Sequence, residues 1–422
     1  MKRFDSLSKN EREALYKELL ETYNGYLKRG LSLDLSRGKP NSEQLDVSQE
    51  LLSYPVTRED TVFAGTDCRN YGVLDGIPAA KALFADMLDL PVDHIFVGGN
   101  SSLQLMYDAL SRAMLFGVVG SERPWCREEG LKWICVAPGY DRHFRITELL
   151  GFELLTVKMN SDGPDMDEVE RLARDPKVKG IWCVPKYSNP TGNTYSDEVV
   201  RRLVSMECGA PDFRIMWDNA YAVHDITETT DPLLNVFEAA KEAGNEDRVF
   251  YFSSTSKITF PGAGVAIMAA SPKNLKQMMP IIGAQTIGYD KINQIRHVKY
   301  LKDKETTARH MQELGALIGR KFEITLGAFE ALEGLGIAEW TKPNGGYFVS
   351  LDLMPGCAKR VFGHMKDAGV TLTSVGATFP YGIDPEDRNL RIAPTYPTDA
   401  ELSLACEILV VAVKIASLEK LM

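Results

Sequence analysis

Apolar positions along this chain change their spacing twice, and the changes divide it. Over residues 8–29, Leu15, Leu19, Leu20, Tyr23 and Leu27 recur at the three-to-four-residue interval that predicts a surface helix. Between about residues 94 and 270 short apolar runs take over. Seven of them read as strands: His94–Val97, Trp133–Val136, Glu153–Val157, Ile181–Val184, Arg214–Trp217, Val249–Phe252 and Val265–Ala269. The stretches between them are helical in pattern, and strands alternating with helices build a mostly parallel sheet covered on both faces. After about residue 290 the chain turns helical over Lys304–Leu332, then mixes strand and helix to its end.

The pattern predicts an α/β protein of two domains, since 422 residues exceed what one compact core usually fills. A large domain with a seven-stranded, mostly parallel sheet is expected over residues 61–300. A smaller α+β domain is expected from residues 1–60 together with 301–422.

Composition narrows the partners. Hydrophobic residues make up 44% and charged residues 25%, an ordinary globular balance. The 48 basic and 58 acidic side chains leave a net charge of −10 with no strong basic run, which argues against nucleic acid. Seven scattered cysteines (Cys68, Cys126, Cys135, Cys183, Cys208, Cys357 and Cys406) form no CxxC pair and read as reduced thiols. The segment MKRFDSLSKNEREALYKELL lacks the apolar core of a signal peptide. The longest apolar run, Ile408–Val413, is far too short to span a bilayer. A soluble cytoplasmic protein with no membrane partner is expected.

In open α/β sheets ligands sit beyond the carboxyl ends of the strands, so those ends carry the candidate chemistry. After the first strand, Gly98-Gly99-Asn100-Ser101-Ser102 opens a helical stripe of Leu103, Met106, Leu110 and Met114. Such an opening serves equally as a phosphate cradle or as ordinary helix capping. The second strand leads to Pro138-Gly139-Tyr140, whose tyrosine can stack on a flat ring or simply pack. The Ile181 strand is followed by Asn189-Pro190-Thr191-Gly192, ordinary turn chemistry with one amide side chain at the ligand edge. The Arg214 strand closes on Asp218-Asn219-Ala220-Tyr221. An acid there is costly without a cationic partner, unless it caps a helix. A metal is not expected, because no second ligand lies at suitable spacing apart from His224 and Asp225. The next strand ends in Ser253-Ser254-Thr255-Ser256-Lys257, whose lysine reads as a phosphate ligand, a Schiff-base amine or a solvated charge.

The order of these segments is more specific than any one of them. Asn70-Tyr71-Gly72, Gly76-Ile77-Pro78, Gly99-Asn100-Ser101-Ser102, Pro138–Tyr140, Asn189-Pro190-Thr191-Gly192, Asp218…Tyr221, Ser254…Lys257 and Arg391 together resemble the class I aminotransferases of pyridoxal-phosphate (PLP) fold type I. The likeness spans roughly residues 30–400. Ser36-Arg37-Gly38-Lys39-Pro40 and Asp290-Lys291-x-Asn293-Gln294 are similar to the bacterial aspartate aminotransferase subgroup related to the aminotransferase-like modules of winged-helix regulators.

The resemblance implies pyridoxal 5'-phosphate as cofactor and a PLP-dependent transferase fold of type I. Lys257 would carry the cofactor as a Schiff base and move the substrate proton. Asp218 would pair with the pyridine nitrogen, and Asn189 and Tyr221 would hydrogen-bond the ring's phenolic oxygen. Tyr140 would stack on the ring. Asn100, Ser101, Ser102, Ser254 and Ser256 would hold the phosphate, joined by Tyr71 from the neighbouring subunit of a homodimer. Arg391, with Asn189 and the backbone at Gly38, would take the substrate α-carboxylate. One departure stands out. Many relatives place an arginine seven or eight residues after the lysine, where this chain has Gly264 and Val265.

The implied activity is ping-pong transamination of aspartate and 2-oxoglutarate to oxaloacetate and glutamate. Alternatives are an aminotransferase for aromatic, 2-aminoadipate or alanine substrates, a lyase or decarboxylase on the same scaffold, or a non-catalytic regulator module. The last is weighed down by the short, weakly basic segment ahead of Gly38. A distal substrate carboxylate needs a second cation, for which Arg37, Lys39, Lys291, Arg296 and Lys342 are candidates.

Overall fold

The computed structural model describes residues 2–63 and 65–422. Its main sheet runs through β1 (Ile95–Val97), β2 (Lys132–Ala137), β3 (Glu153–Asn160), β4 (Gly163–Pro164), β5 (Val178–Cys183), β6 (Arg214–Asp218), β7 (Val249–Ser254) and β8 (Ala266–Ala270). Their spatial order is β1-β8-β7-β6-β5-β2-β3-β4. Strands β7, β6, β5, β2 and β3 pair in parallel, and β8 lies antiparallel between β7 and β1. Among the described residues the sheet therefore has eight strands where seven are expected. The eighth, β4, is a two-residue return pairing Met159 with Pro164, too short to show any period.

Alternation along these strands builds two separate apolar layers, because successive side chains point to opposite faces. Ile95, Val97, Ile134, Ile181, Ile215 and Ile267 join one cluster. Their neighbours Phe96, Trp133, Trp182, Met216, Phe250 and Met268 join another on the far side. Both layers are fully covered, which explains why the strands read as near-continuous apolar runs.

A third cluster unites the two ends of the chain. It contains Tyr23, Leu33 and Leu35 with Phe322, Leu351, Ile392 and Leu409. Helix α1 (Lys9–Leu27) is opened by a capping box between Ser8 and Glu11. It is not simply a surface helix: Tyr23 is buried and its hydroxyl donates to the His364 carbonyl at 2.7 Å. Helix α2 (Ser102–Phe116) covers the main sheet beside β8, and α3 (Asp141–Leu149) follows β2. The long α4 (Lys304–Phe329) packs on the last helix, α5 (Asp399–Leu421), which also receives α1. Arg12 Nη1 donates to the Leu421 carbonyl at 2.7 Å, joining the first helix to the end of the last.

A small antiparallel sheet lies beside these helices, with β9 (Ala338–Trp340), β10 (Val349–Leu353) and β11 (Asn389–Ile392) in that order. Leu33–Asp34 pairs in parallel with Val370–Thr371. The Leu35 carbonyl accepts from Ala393 N, which holds the Ser36–Pro40 loop against the exit of β11. The Lys39 carbonyl accepts from the Thr395 hydroxyl at 3.1 Å. Among the described residues no helix is long and apolar enough to cross a membrane.

Candidate active site

The carboxyl ends of β1, β2, β5, β6 and β7 deliver most of the expected residues to one edge of the sheet. Asp218 ends β6, only 4% exposed. His143, on the first turn of α3, donates from Nε2 to Asp218 Oδ2 at 2.9 Å and is itself stacked on Trp182 at 4.3 Å. Among the described residues the other carboxylate oxygen, Oδ1, is buried and has no hydrogen-bond partner. A buried acceptor left open costs on the order of 1–3 kcal/mol unless a ligand donor meets it. The protonated nitrogen of a pyridine ring is such a donor, so the site fits the cofactor on this point.

Lys257 closes a short turn after β7, with Nζ 4.9 Å from the centre of the Tyr221 ring and 5.9 Å from that of Tyr347. Among the described residues its ammonium has no hydrogen-bond partner. Burial pushes its pKa down from the ordinary lysine value, and the Asp218 charge opposes that shift. Burial pushes the Tyr221 phenol well above its ordinary value and the Tyr140 phenol up to about 12, the latter with help from Asp218 and Asp141. Both hydroxyls therefore remain hydrogen-bond donors at neutral pH. The Tyr140 ring meets His143 edge-on at 4.9 Å, placing it beside the His143–Asp218 pair.

The hydroxyl-rich turns meet across the sheet edge. Ser254 Oγ donates to Ser256 Oγ at 3.0 Å, and Ser256 Oγ donates to the Asn100 carbonyl at 3.4 Å. Ser101 caps α2, accepting from Gln104 N, and Ser102 is the first residue of that helix. The capping reading therefore holds for Ser101, and the Asn100 carbonyl just ahead of the helix start meets Ser256. A side chain at Gly264 would be crowded. A Cβ on that glycine would lie 3.1 Å from the Phe260 carbonyl oxygen and 3.2 Å from Thr255 Oγ1. Asn293 holds the turn ahead of β8, donating to the Ala263 and Gly264 carbonyls at 2.9 and 3.1 Å.

Arg391 reaches the cleft from β11. Its Nη1 donates to Asp141 Oδ1 at 2.8 Å and to Asn189 Oδ1 at 3.4 Å, and Nη2 donates to Thr373 Oγ1 at 3.3 Å. The Phe348 ring lies under the guanidinium, 5.1 Å away. Gly38 packs on that ring: a Cβ there would fall 2.1 Å from Phe348 Cζ. The glycine is thus demanded by an aromatic ring, whereas the sequence points to a close approach by the ligand.

Tyr71 stands apart from the rest, with 79% of its surface exposed. Lys291 is buried and donates to the Gly72 carbonyl at 3.0 Å, so its charge holds the Tyr71 loop. Arg296 has a buried Nε without a partner, Lys342 lies 6.0 Å over the Trp340 ring, and Lys39 lies 3.8 Å over Tyr396. Arg37 is exposed, 3.8 Å from Asp34. His224, weighed from sequence only as a metal ligand, lies with Nε2 3.3 Å from the Lys257 carbonyl, and burial lowers its pKa to about 3. Sequence reasoning missed the parts played by His143, Asp141 and Phe348. A histidine three residues beyond the turn tyrosine, on the first turn of a helix, was the available signal for His143.

A cavity of about 940 Å³ lies behind the segment that carries Tyr221, lined by Trp217, Asn219, Asp225, Thr307 and Met311 among others. It contains none of the expected cofactor or substrate residues, and the chemistry assembled at the strand ends outweighs its size.

Comparison with known proteins agrees with this geometry. An aspartate aminotransferase of Corynebacterium glutamicum is 46% identical over 411 residues, covering 97% of this chain and 95% of its own. The solved structure of an aspartate transaminase from Corynebacterium glutamicum superposes with a TM-score of 0.96 at 43% identity, over 99% of each chain. An α-aminoadipate aminotransferase of Thermus thermophilus shares the fold at a TM-score of 0.75 and 23% identity, over 95% of this chain and 96% of its own. The sequence pattern of the aspartate amino-transferase family matches residues 7–422, and with a buried acid and a desolvated lysine at neighbouring strand ends, the chain belongs to that family.

Proposed function

We propose that this protein is a pyridoxal-phosphate-dependent aminotransferase that exchanges the amino groups of aspartate and 2-oxoglutarate, giving oxaloacetate and glutamate by a ping-pong mechanism. The observation that carries the proposal is the Asp218 carboxylate, buried, anchored on one oxygen by His143 and open on the other. When bound, pyridoxal phosphate supplies a protonated ring that draws off the electron pair left on the substrate Cα.

The chain's own residues have separable tasks. Asp218 would keep the proton on the ring nitrogen. Tyr221 and Asn189 would donate to the phenolic oxygen, and Tyr140 would pack against the ring. Lys257 would take the proton from the substrate Cα; its lowered pKa favours the neutral amine that this step requires. Asn100, Ser102, Ser254 and Ser256, with the start of α2, hold the phosphate. Ser101 orders that helix start. Arg391 takes the α-carboxylate beside Asn189.

The distal carboxylate is assigned to the Arg37–Lys39 loop, because Gly38 packs against the Phe348 ring that carries Arg391. Lys291 is already committed to Gly72. Tyr71 is assigned to the phosphate of a second subunit, in keeping with its exposure, so the working unit is a cytoplasmic homodimer. Absorbance spectra with and without aspartate, followed by a coupled assay of oxaloacetate, test the activity. Aspartate should bleach the visible band, and 2-oxoglutarate should restore it. A band that responds to alanine or an aromatic amino acid but not to aspartate would overturn the substrate assignment.

A further inference from the structure

We propose that Asp141 is the built-in counter-ion of Arg391, holding the guanidinium corner that a substrate carboxylate must take. The inference rests on the reading of Arg391 as the α-carboxylate site.

The guanidinium is boxed on most sides. Its side chain is only 9% exposed, Phe348 lies beneath it, and Nε is buried with no partner and out of reach of solvent. The Nη1 and Nη2 ends face other groups: Asp141 and Asn189 on Nη1, Thr373 on Nη2. The contact with Asp141, at 2.8 Å, is the shortest of the three and the only charged one.

These groups differ in freedom. Asn189 is only 5% exposed, in the turn after β5, so its amide has little room to swing away. The Asp141 side chain is 34% exposed and belongs to the first residue of α3. It can rotate into water while staying beside the positive end of that helix, where a carboxylate is stabilised. An arriving carboxylate therefore exchanges one anion for another on Arg391. That exchange is nearly balanced by itself. Net binding then depends on contacts elsewhere in the site, so simple monoanions gain little by entering. A site occupied in this way has an apparent affinity reduced by the fraction of time that its own counter-ion holds it. Asp141 thus acts as a positioning and specificity residue through Arg391.

The test uses the cofactor-loaded enzyme and the dicarboxylate maleate as probe, titrated by calorimetry into wild type, Asp141→Asn and Asp141→Ala. Both variants should bind maleate at least threefold more tightly, and KM for aspartate and 2-oxoglutarate should fall by more than kcat changes. Acetate, inert toward wild type, should become a measurable inhibitor. Adding Arg391→Lys should remove the gain. Equal or weaker maleate binding in both variants, with thermal unfolding unchanged, would overturn the proposal and leave Asp141 as a prop for Arg391. A gain that survives Arg391→Lys would overturn it as well. Failure of wild type to bind maleate at all would instead strike the carboxylate role of Arg391, and the counter-ion idea with it.

Discussion

At the scale of single residues, the site depends on groups whose needs within the protein are left unmet. Asp218 has an open oxygen and Lys257 an unpaired amine, each at a strand end where burial raises the cost of leaving it so. Lys257→Ala should abolish the visible absorbance band of the loaded enzyme and lower turnover by several orders of magnitude; a variant keeping both would show that another lysine carries the cofactor. Asp218→Ala should retain some cofactor but lose turnover, with a barrier increase of roughly 2–5 kcal/mol, as for a truncated buried charge pair. Single-turnover rates with saturating aspartate measure this directly, and a wild-type rate would remove the ring-nitrogen role. Asp218 was legible in the sequence because it closes an apolar run, and Lys257 because it closes a hydroxyl-rich turn at its place in the order of segments that resembles the aminotransferases. The Arg391–Asp141 pair was not, since its partners lie 250 residues apart and neither is unusual in its own segment.

At the scale of elements, most strands could be read from their apolar runs, with ends displaced by a few residues. The start of β5 was lost because Lys179 interrupts the apolar pattern. That lysine is buried, 2.9 Å from both Asp212 and Glu128, an ion cluster that no local pattern reveals. The last helix illustrates a signal that is local. Thr398 N donates to Glu401 Oε2 at 2.9 Å and Glu401 N donates back to Thr398 Oγ1 at 3.3 Å, a reciprocal cap before α5. Thr398→Ala should therefore cost about 1 kcal/mol in urea unfolding while leaving transamination rates unaltered. A loss of activity without loss of stability would mean that α5 communicates with the cleft.

At the scale of the molecule, two properties follow from the assembly of these parts. If Tyr71 serves a second subunit, mixing Lys257→Ala with Tyr71→Ala chains should restore up to about a quarter of wild-type activity, since random exchange in a two-fold dimer leaves one intact site in each hybrid. A fully active monomer would rule this out. The second property is acid sensitivity. Burial lowers the pKa of His224 to about 3 and also lowers those of His297 and His310. Below about pH 6.5 the unfolded chain takes up protons that these folded side chains refuse, so stability should fall as pH drops from 6.5 toward 3. Each histidine contributes at most about 1.4 kcal/mol per pH unit in its window. Urea midpoints between pH 7 and 5 should show a shallower decline in His224→Gln; an unchanged slope would exclude His224.

The joining of the chain's two ends bears on how the protein is made. Helix α1 is synthesised well before α5, yet its apolar stripe packs on that helix, and Arg12, which also donates to the Phe4 and Asp5 carbonyls, reaches the Leu421 carbonyl at its end. The Asn100 turn likewise waits for Ser256 before its half of the phosphate cradle is complete. Until α5 is made, the apolar face of α1 therefore lacks the helix it packs on. Chaperone demand and the yield of active enzyme should accordingly track how quickly the message for α5 is read, more than the speed with which α1 is made.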